Sequence, residues 1–349
     1  MKSTTIKTGR EIMKINELKK QLGQQKIAPI YLVLGEEDYL IQQAQALFLT
    51  LLAPEERDMN FASYDLSSDS LGAAMDDATS VPFFGERRLV WLKDPVFLTA
   101  QEAKGSPNQD VASLTAYLNH PLDSTVLVIF AKVPKLDGRK KISKLVQKQA
   151  TVVDVQKLPP AAIESALTQL LQTKDYQLAP DSKELLIQRS DADFSAIVAN
   201  LEKLFIAADD KVITRQMVAE LVSPTLEDNV FDLVDRVLHR DVKSALALYQ
   251  DLLLNKEEPI RINSILISQF RLLLQVKILA KKGMTQGNLT QILKVHPYRI
   301  KLALKTVKQF SQVDLRQAYL GLQDNDYQMK SGQQDKMLLF ELFMLKFAS

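Results

Sequence analysis

An apolar run, Ile30 to Leu34, stops at Gly35 and gives way to helical spacing at Leu40, Ala44, Leu47 and Leu51. Strand, glycine turn and helix in that order form the setting in which a P-loop holds nucleotide phosphates. The P-loop pattern is G-x-x-x-x-G-K-[ST]: its glycines let backbone N–H groups approach the phosphates, and its lysine meets their charge. The turn in this chain carries Glu36, Glu37 and Asp38, and no second glycine, lysine or serine follows. Three carboxylates repel a triphosphate. A working ATPase also needs an acidic pair at a strand end to hold magnesium and polarise water. The run "RLVWL" (88–92) leaves only Asp94 behind Lys93, and "TVLVIF" (125–130) passes into Ala131, Lys132 and Val133. The chemistry of ATP hydrolysis is missing in two places.

Other reactive groups are sparse. His120, His239 and His296 are scattered, and none has a metal-ligand partner at short spacing. There is no cysteine and no G-x-S-x-G nucleophile motif. Catalytic residues, metal and cofactor are therefore all expected to be none. The densest charge lies in "KVPKLDGRKKISKLVQK" (132–148), with seven Lys or Arg against one Asp. Lys132, Lys135, Arg139, Lys140, Lys141 and Lys144 are the candidate DNA contacts. They read either as a solvated loop and helix face or as a sequence-independent grip on phosphates. A second run, 293–310, carries five Lys or Arg and no acid, with Lys301, Lys305 and Lys308 on one side of a helix.

Two adjacent aromatics, Phe83 and Phe84, stand between Pro82 and Gly85 in "TSVPFFGERRLVWL" (79–92). Adjacent side chains point in different directions in a helix or a strand, so the pair does not easily serve one core face. Proline and glycine on either side favour a short exposed turn. The pair reads either as a plug for the chain's own core or as an anchor for a partner's apolar pocket.

The elements that must position these groups follow from hydrophobic spacing. Apolar runs at 30–34, 60–66, 88–92, 125–130 and 151–155 alternate with helical patterns, and several are apolar on both faces, as strands between helices must be. A parallel five-stranded sheet is expected over residues 1–157. After "KLPP" (157–160) the strands are expected to stop, leaving a helical segment of about four helices over 158–222. "SPTLEDN" (223–229) marks the next boundary, since Pro224 disfavours helix at Ser223. Residues 223–349 are helical throughout, with starts at Asp241, Thr285, Pro297 and Ser311 and a stop at Gly283. Residues 1–12 read as an extension and possible second start region before Met13, with no signal peptide. The stretch 265–280 is long and apolar, but Gln269, Arg271, Gln275 and Lys277 argue for a buried helix over a membrane span. The whole chain's 44 Lys and Arg against 42 Asp and Glu leave a net charge of +2, so any nucleic-acid contact rests on local patches. A cytoplasmic protein is expected.

These features together resemble the delta subunit of the bacterial DNA polymerase III clamp loader, from about Ile15 to the C-terminus. "YLVLGEEDYLI" (31–41) resembles that family's degenerate P-loop, and "SVPFFGERRLVWL" (80–92) its clamp-binding turn. "SDADFSAIVANLEKLF" (190–205) is similar to its lid helix. Residues 226–253 and 324–345 are similar to its first and last collar helices. The resemblance implies an AAA+ type fold, comprising an α/β domain (1–157), a helical lid (158–222) and a helical collar (223–349). It implies a subunit of the DNA polymerase III holoenzyme, a DNA-directed DNA polymerase, with no catalytic site of its own. Its implied partners are the sliding clamp (beta), the gamma or tau and delta-prime subunits, and primed DNA, with no membrane. The family's clamp-binding residues fall on Thr79, Ser80, Val81, Pro82, Phe83 and Phe84, although Thr79 stands where glutamine is common. The alternatives from other classes are an active P-loop ATPase and a stand-alone DNA-binding replication protein.

Overall fold

The computed structural model describes residues 12–83, 85–100, 110–295, 297–332 and 334–348. The chain divides into two compact units between Leu158 and Pro159.

The first unit is built on a parallel sheet. Its strands are β1 (Ile12–Met13), β2 (Ile30–Leu34), β3 (Phe61–Asp65), β4 (Arg88–Lys93), β5 (Thr125–Ala131) and β6 (Thr151–Asp154), in the spatial order β1-β6-β2-β5-β4-β3. The sheet has six strands where five were expected. The sixth, β1, is two residues long and pairs Ile12 and Met13 with Val152 and Val153. That is too short to leave a periodic signal, and it places Ile12 in the sheet and not in an extension. Residues 1–11 lie outside the described residues.

Alternation along the strands divides the core into two layers. Leu32, Val90, Leu92, Leu127 and Ile129 face helices Leu71–Ala78, Val111–Asn119 and Lys141–Gln149. Tyr31, Val33, Trp91, Val128 and Phe130 face helices Ile15–Gly23 and Asp38–Leu49. Both faces are covered, which is why all seven residues of β5 are buried.

In the second unit, helices Pro160–Lys174, Pro180–Arg189, Phe194–Ala207 and Arg215–Leu221 come first. Two short strands that the hydrophobic pattern did not reveal, β7 (Gln177–Leu178) and β8 (Val212–Ile213), pair in parallel among them. From Leu226 onward every described regular element is a helix. Their starts are chemically marked. Thr225, Thr285 and Ser311 accept from the backbone N–H groups of Asp228, Asn288 and Asp314, whose side chains reach back in reciprocal capping boxes. Asp241 caps the helix Val242–Leu254, and Gly283, at φ +80°, follows the end of Pro259–Lys281.

The helix Pro259–Lys281 is long and apolar enough to cross a membrane, and half of its apolar window is buried inside the fold. Its buried residues include Ile262, Leu266, Phe270, Leu273 and Val276. Lys277, within it, turns its ammonium onto the carbonyls of Val307 and Phe310 at the end of helix Pro297–Gln309, where the helix dipole favours a cation.

Candidate functional site

The turn that carries Phe83 lies at the amino ends of β3 and β4 and is built in three steps. Helix Leu71–Ala78 ends when the hydroxyls of Thr79 and Ser80 fold back onto the carbonyls of Met75 and Asp76. These two polar residues thereby satisfy their own helix terminus. The chain then emerges: Val81 is 78% and Phe83 65% exposed. Pro82 lies between them, half-buried, and Phe84 lies outside the described residues. Gly85, at φ +70°, turns the chain back, and a Cβ there would meet the Glu56 carboxylate.

The segment 54–60 braces this turn from below. Asn60 is fully buried and its Oδ1 accepts the Phe83 N–H at 2.8 Å. Arg88, the first residue of β4, pairs with Asp77 and donates to the Met59 carbonyl at 3.1 Å. Asp77 also accepts from the Tyr64 hydroxyl at 3.2 Å. The Asp77–Arg88 pair closes the base of the loop, which reduces the conformational freedom of the residues between. Apolar side chains are thus displayed on a backbone held at both ends and in the middle. Nothing in the sequence linked Asn60 to residue 83, because the hydrogen bond spans 23 positions.

The phosphate-loop frame sits at the opposite end of the sheet, at the carboxyl end of β2, where ligands of open α/β sheets bind. Three residues, Gly35 to Glu37, join β2 to helix Asp38–Leu49. The Gly35 N–H donates to Ala131 O at 3.3 Å and the Glu37 N–H to Val155 O at 3.0 Å. Gly35 has φ +146°, and a Cβ there would stand 2.2 Å from the Val155 carbonyl. The glycine therefore serves a close crossing of β6. Glu37 is buried, 2% exposed, and Asp38 pairs with Lys132 at 2.6 Å. Two amides that a phosphate cradle would use are already bonded to neighbouring strands.

Of the six cations singled out between 132 and 144, three are engaged internally. Lys132 holds Asp38, and Lys140 donates to the carbonyls of Phe97 and Thr99 at 3.0 and 2.7 Å. Arg139 grips Asp137 through two nitrogens and holds that carboxyl well below the usual range. Lys135, Lys141 and Lys144 are exposed and form no ion pair among the described residues. In the second basic run, Lys301 pairs with Glu184 at 2.8 Å and Arg299 with Asp191 at 3.5 Å, so part of that charge joins helices within the second unit. His296 lies outside the described residues. No group of three potential metal ligands occurs among the described residues.

Comparison with known proteins places these features in a family. The model described as DNA polymerase III, delta subunit, matches residues 31–156, and the one for the C-terminal domain of the same subunit matches residues 227–347. DNA polymerase III subunit delta of Bacillus subtilis (strain 168) is 36% identical over 330 residues, covering 94% of this chain and 95% of the relative. The chain belongs to the DNA polymerase III delta subunit family. A probable delta subunit of Aquifex aeolicus (strain VF5) is 24% identical and covers 90% of each chain. Among solved structures, the delta-family chain is similar to the Bacillus subtilis DNA clamp loader delta protein. The TM-score is 0.59 at 35% identity, with 96% of this chain and 99% of the other covered. The delta-family matches span both the braced turn and the closed phosphate loop.

Proposed function

We propose that this chain is a clamp-loader subunit that binds the sliding clamp and opens the ring for loading onto primed DNA, without hydrolysing ATP itself. The observation that carries this reading is the turn at 79–84, where Val81 and Phe83 stand in solvent on a fixed backbone. Exposed aromatic and aliphatic side chains are costly to display and are the usual anchors of a partner's pocket. Ring opening is linkage: a subunit that prefers the opened clamp shifts the equilibrium by its difference in affinity and no more. Moving a ring from 1:99 to 99:1 takes about 5.5 kcal/mol of such difference. The bonded amides of the phosphate loop support the absence of nucleotide chemistry and weigh against an active ATPase. In this reading residues 158–222 form the lid, and residues 223–349 form the collar that joins gamma or tau and delta-prime subunits in the cytoplasm. Lys135, Lys141 and Lys144 face primed DNA in the assembled loader.

The test replaces Phe83 and Phe84 together with Ala. The melting temperature is expected to stay near the parent's if both rings serve a partner, since an exposed side chain such as Phe83 contributes little to folding. Surface-plasmon binding to the sliding clamp should weaken about a thousandfold, from two contacts worth roughly 2 kcal/mol each. A collapsed melting temperature, or undiminished affinity in a folded variant, overturns the assignment. Core phenylalanines would instead cost about 3–5 kcal/mol of stability each.

A further inference from the structure

The segment beneath the turn has its own exposed apolar side chain. Met59 is 54% exposed, immediately before the buried Asn60 that receives the Phe83 N–H. Its carbonyl is held by Arg88, the residue at which the turn ends. Glu56, three residues earlier, lies against Gly85. Three points of the 54–60 segment therefore meet three points of the 83–88 segment, and Met59 is carried in fixed register with Phe83. Thioethers are flexible and polarisable, and they suit a surface that must adapt to a partner's apolar wall.

We infer that the docking surface for the clamp extends from the turn onto Met59, and that Asn60 is the positioning residue that sets Phe83 for its pocket. This rests on the clamp-binding reading above. The occupant is the same apolar pocket-bearing partner, because the segment that carries exposed Met59 is bonded at Asn60 and at the Met59 carbonyl to the turn that displays Phe83. Asn60 is fully buried and does not reach the clamp. It fixes the backbone amide of Phe83, so its contribution to binding passes through that aromatic ring. Flexible loops lose affinity to the entropy of ordering on binding, and a buried hydrogen bond at mid-loop removes that cost beforehand.

The experiment measures sliding-clamp affinity by surface plasmon resonance for the full chain carrying Met59→Ala, Phe83→Ala, Asn60→Ala and the Asn60→Ala/Phe83→Ala pair, with melting curves alongside. Met59→Ala should bind about tenfold more weakly with an unchanged melting temperature. Asn60→Ala should weaken binding about tenfold in the parent and have no further effect once Phe83 is Ala, the coupling expected of a residue acting through another. An unchanged affinity for Met59→Ala, or an Asn60→Ala effect of equal size in both backgrounds, overturns the inference. If Asn60→Ala lowers the melting temperature, Met59→Ala carries the test alone, since it alters only an exposed side chain. Should Phe83→Ala itself bind like the parent, the clamp-binding reading fails first, and that result is distinct from failure of Met59 alone.

Discussion

Tyr249 in helix Val242–Leu254 is 1% exposed, with its ring stacked on Phe340 at 4.3 Å. Its hydroxyl has no hydrogen-bond partner among the described residues. Burial pushes its pKa above the ordinary 10.0, and the negative charges of Glu341 and Asp335 push it the same way. A tyrosine whose folded-state pKa is raised contributes stability that is fully present below its unfolded value. That stability is lost as pH rises from about 10 toward the folded value. Alkaline titration followed by circular dichroism should therefore show the protein weakening above about pH 10. Tyr249→Phe removes an orphaned buried hydroxyl, a group that costs about 1–3 kcal/mol when unpaired. The variant should be at least as stable as the parent at pH 7 and lose less stability above pH 10. A variant that melts well below the parent at neutral pH would mean that the hydroxyl is bonded. Gly35 makes the complementary point at the same scale. Its conformation and its crowding against Val155 leave no room for a Cβ, for a reason unrelated to phosphate.

At the scale of the element, the strand–turn–helix 30–49 keeps the frame of a nucleotide site while two of its turn amides and Asp38 are bonded elsewhere. Three residues span the gap from β2 to the helix, and the amides of Gly35 and Glu37 are bonded to β5 and the exit of β6. The Gln156 side chain adds a hydrogen bond to Pro134 O at 3.0 Å beside the same turn. Binding a triphosphate would require breaking these bonds and bringing its charge against Glu36, Glu37 and Asp38. Isothermal titration of the isolated chain with ATP and magnesium should accordingly give no heat above dilution. A micromolar affinity would show that the turn opens.

For the whole molecule, a net charge of +2 leaves little long-range attraction for nucleic acid. Local cations must therefore be judged by whether other parts of the chain already hold them. Lys140 supports the carbonyls of Phe97 and Thr99, so reversing it would damage the fold as well as any phosphate contact. Lys135, Lys141 and Lys144 are the informative set. Changing all three to Glu in an assembled loader and clamp should weaken primer-template binding. If each meets one phosphate, the dependence of log affinity on log salt should flatten by roughly two to three. Clamp binding without DNA should be unchanged. Equal salt slopes for variant and parent would make these lysines part of a solvated face.

The five long strands and the helix starts at Asp241, Thr285 and Ser311 were legible in the sequence because their causes are local. A strand covered on both faces is mostly apolar, as β2, β4 and β5 are, and a cap is a side chain bonded two or three residues ahead. The strands β1, β7 and β8 were not legible. Each is two residues long and exists because a neighbouring segment supplies hydrogen bonds. Family membership was also readable, since it rests on the order of several segments along the chain. What only the tertiary structure decided is how distant polar groups are paired. Asn60 reaches Phe83 across 23 positions, Lys140 reaches Phe97 across 43, and Lys301 reaches Glu184 across 117. Sequence spacing records which face of its own element a side chain occupies. Which polar groups meet depends on how the chain is folded back, and that turns a run of lysines into some that are committed to the fold and some that remain free to bind.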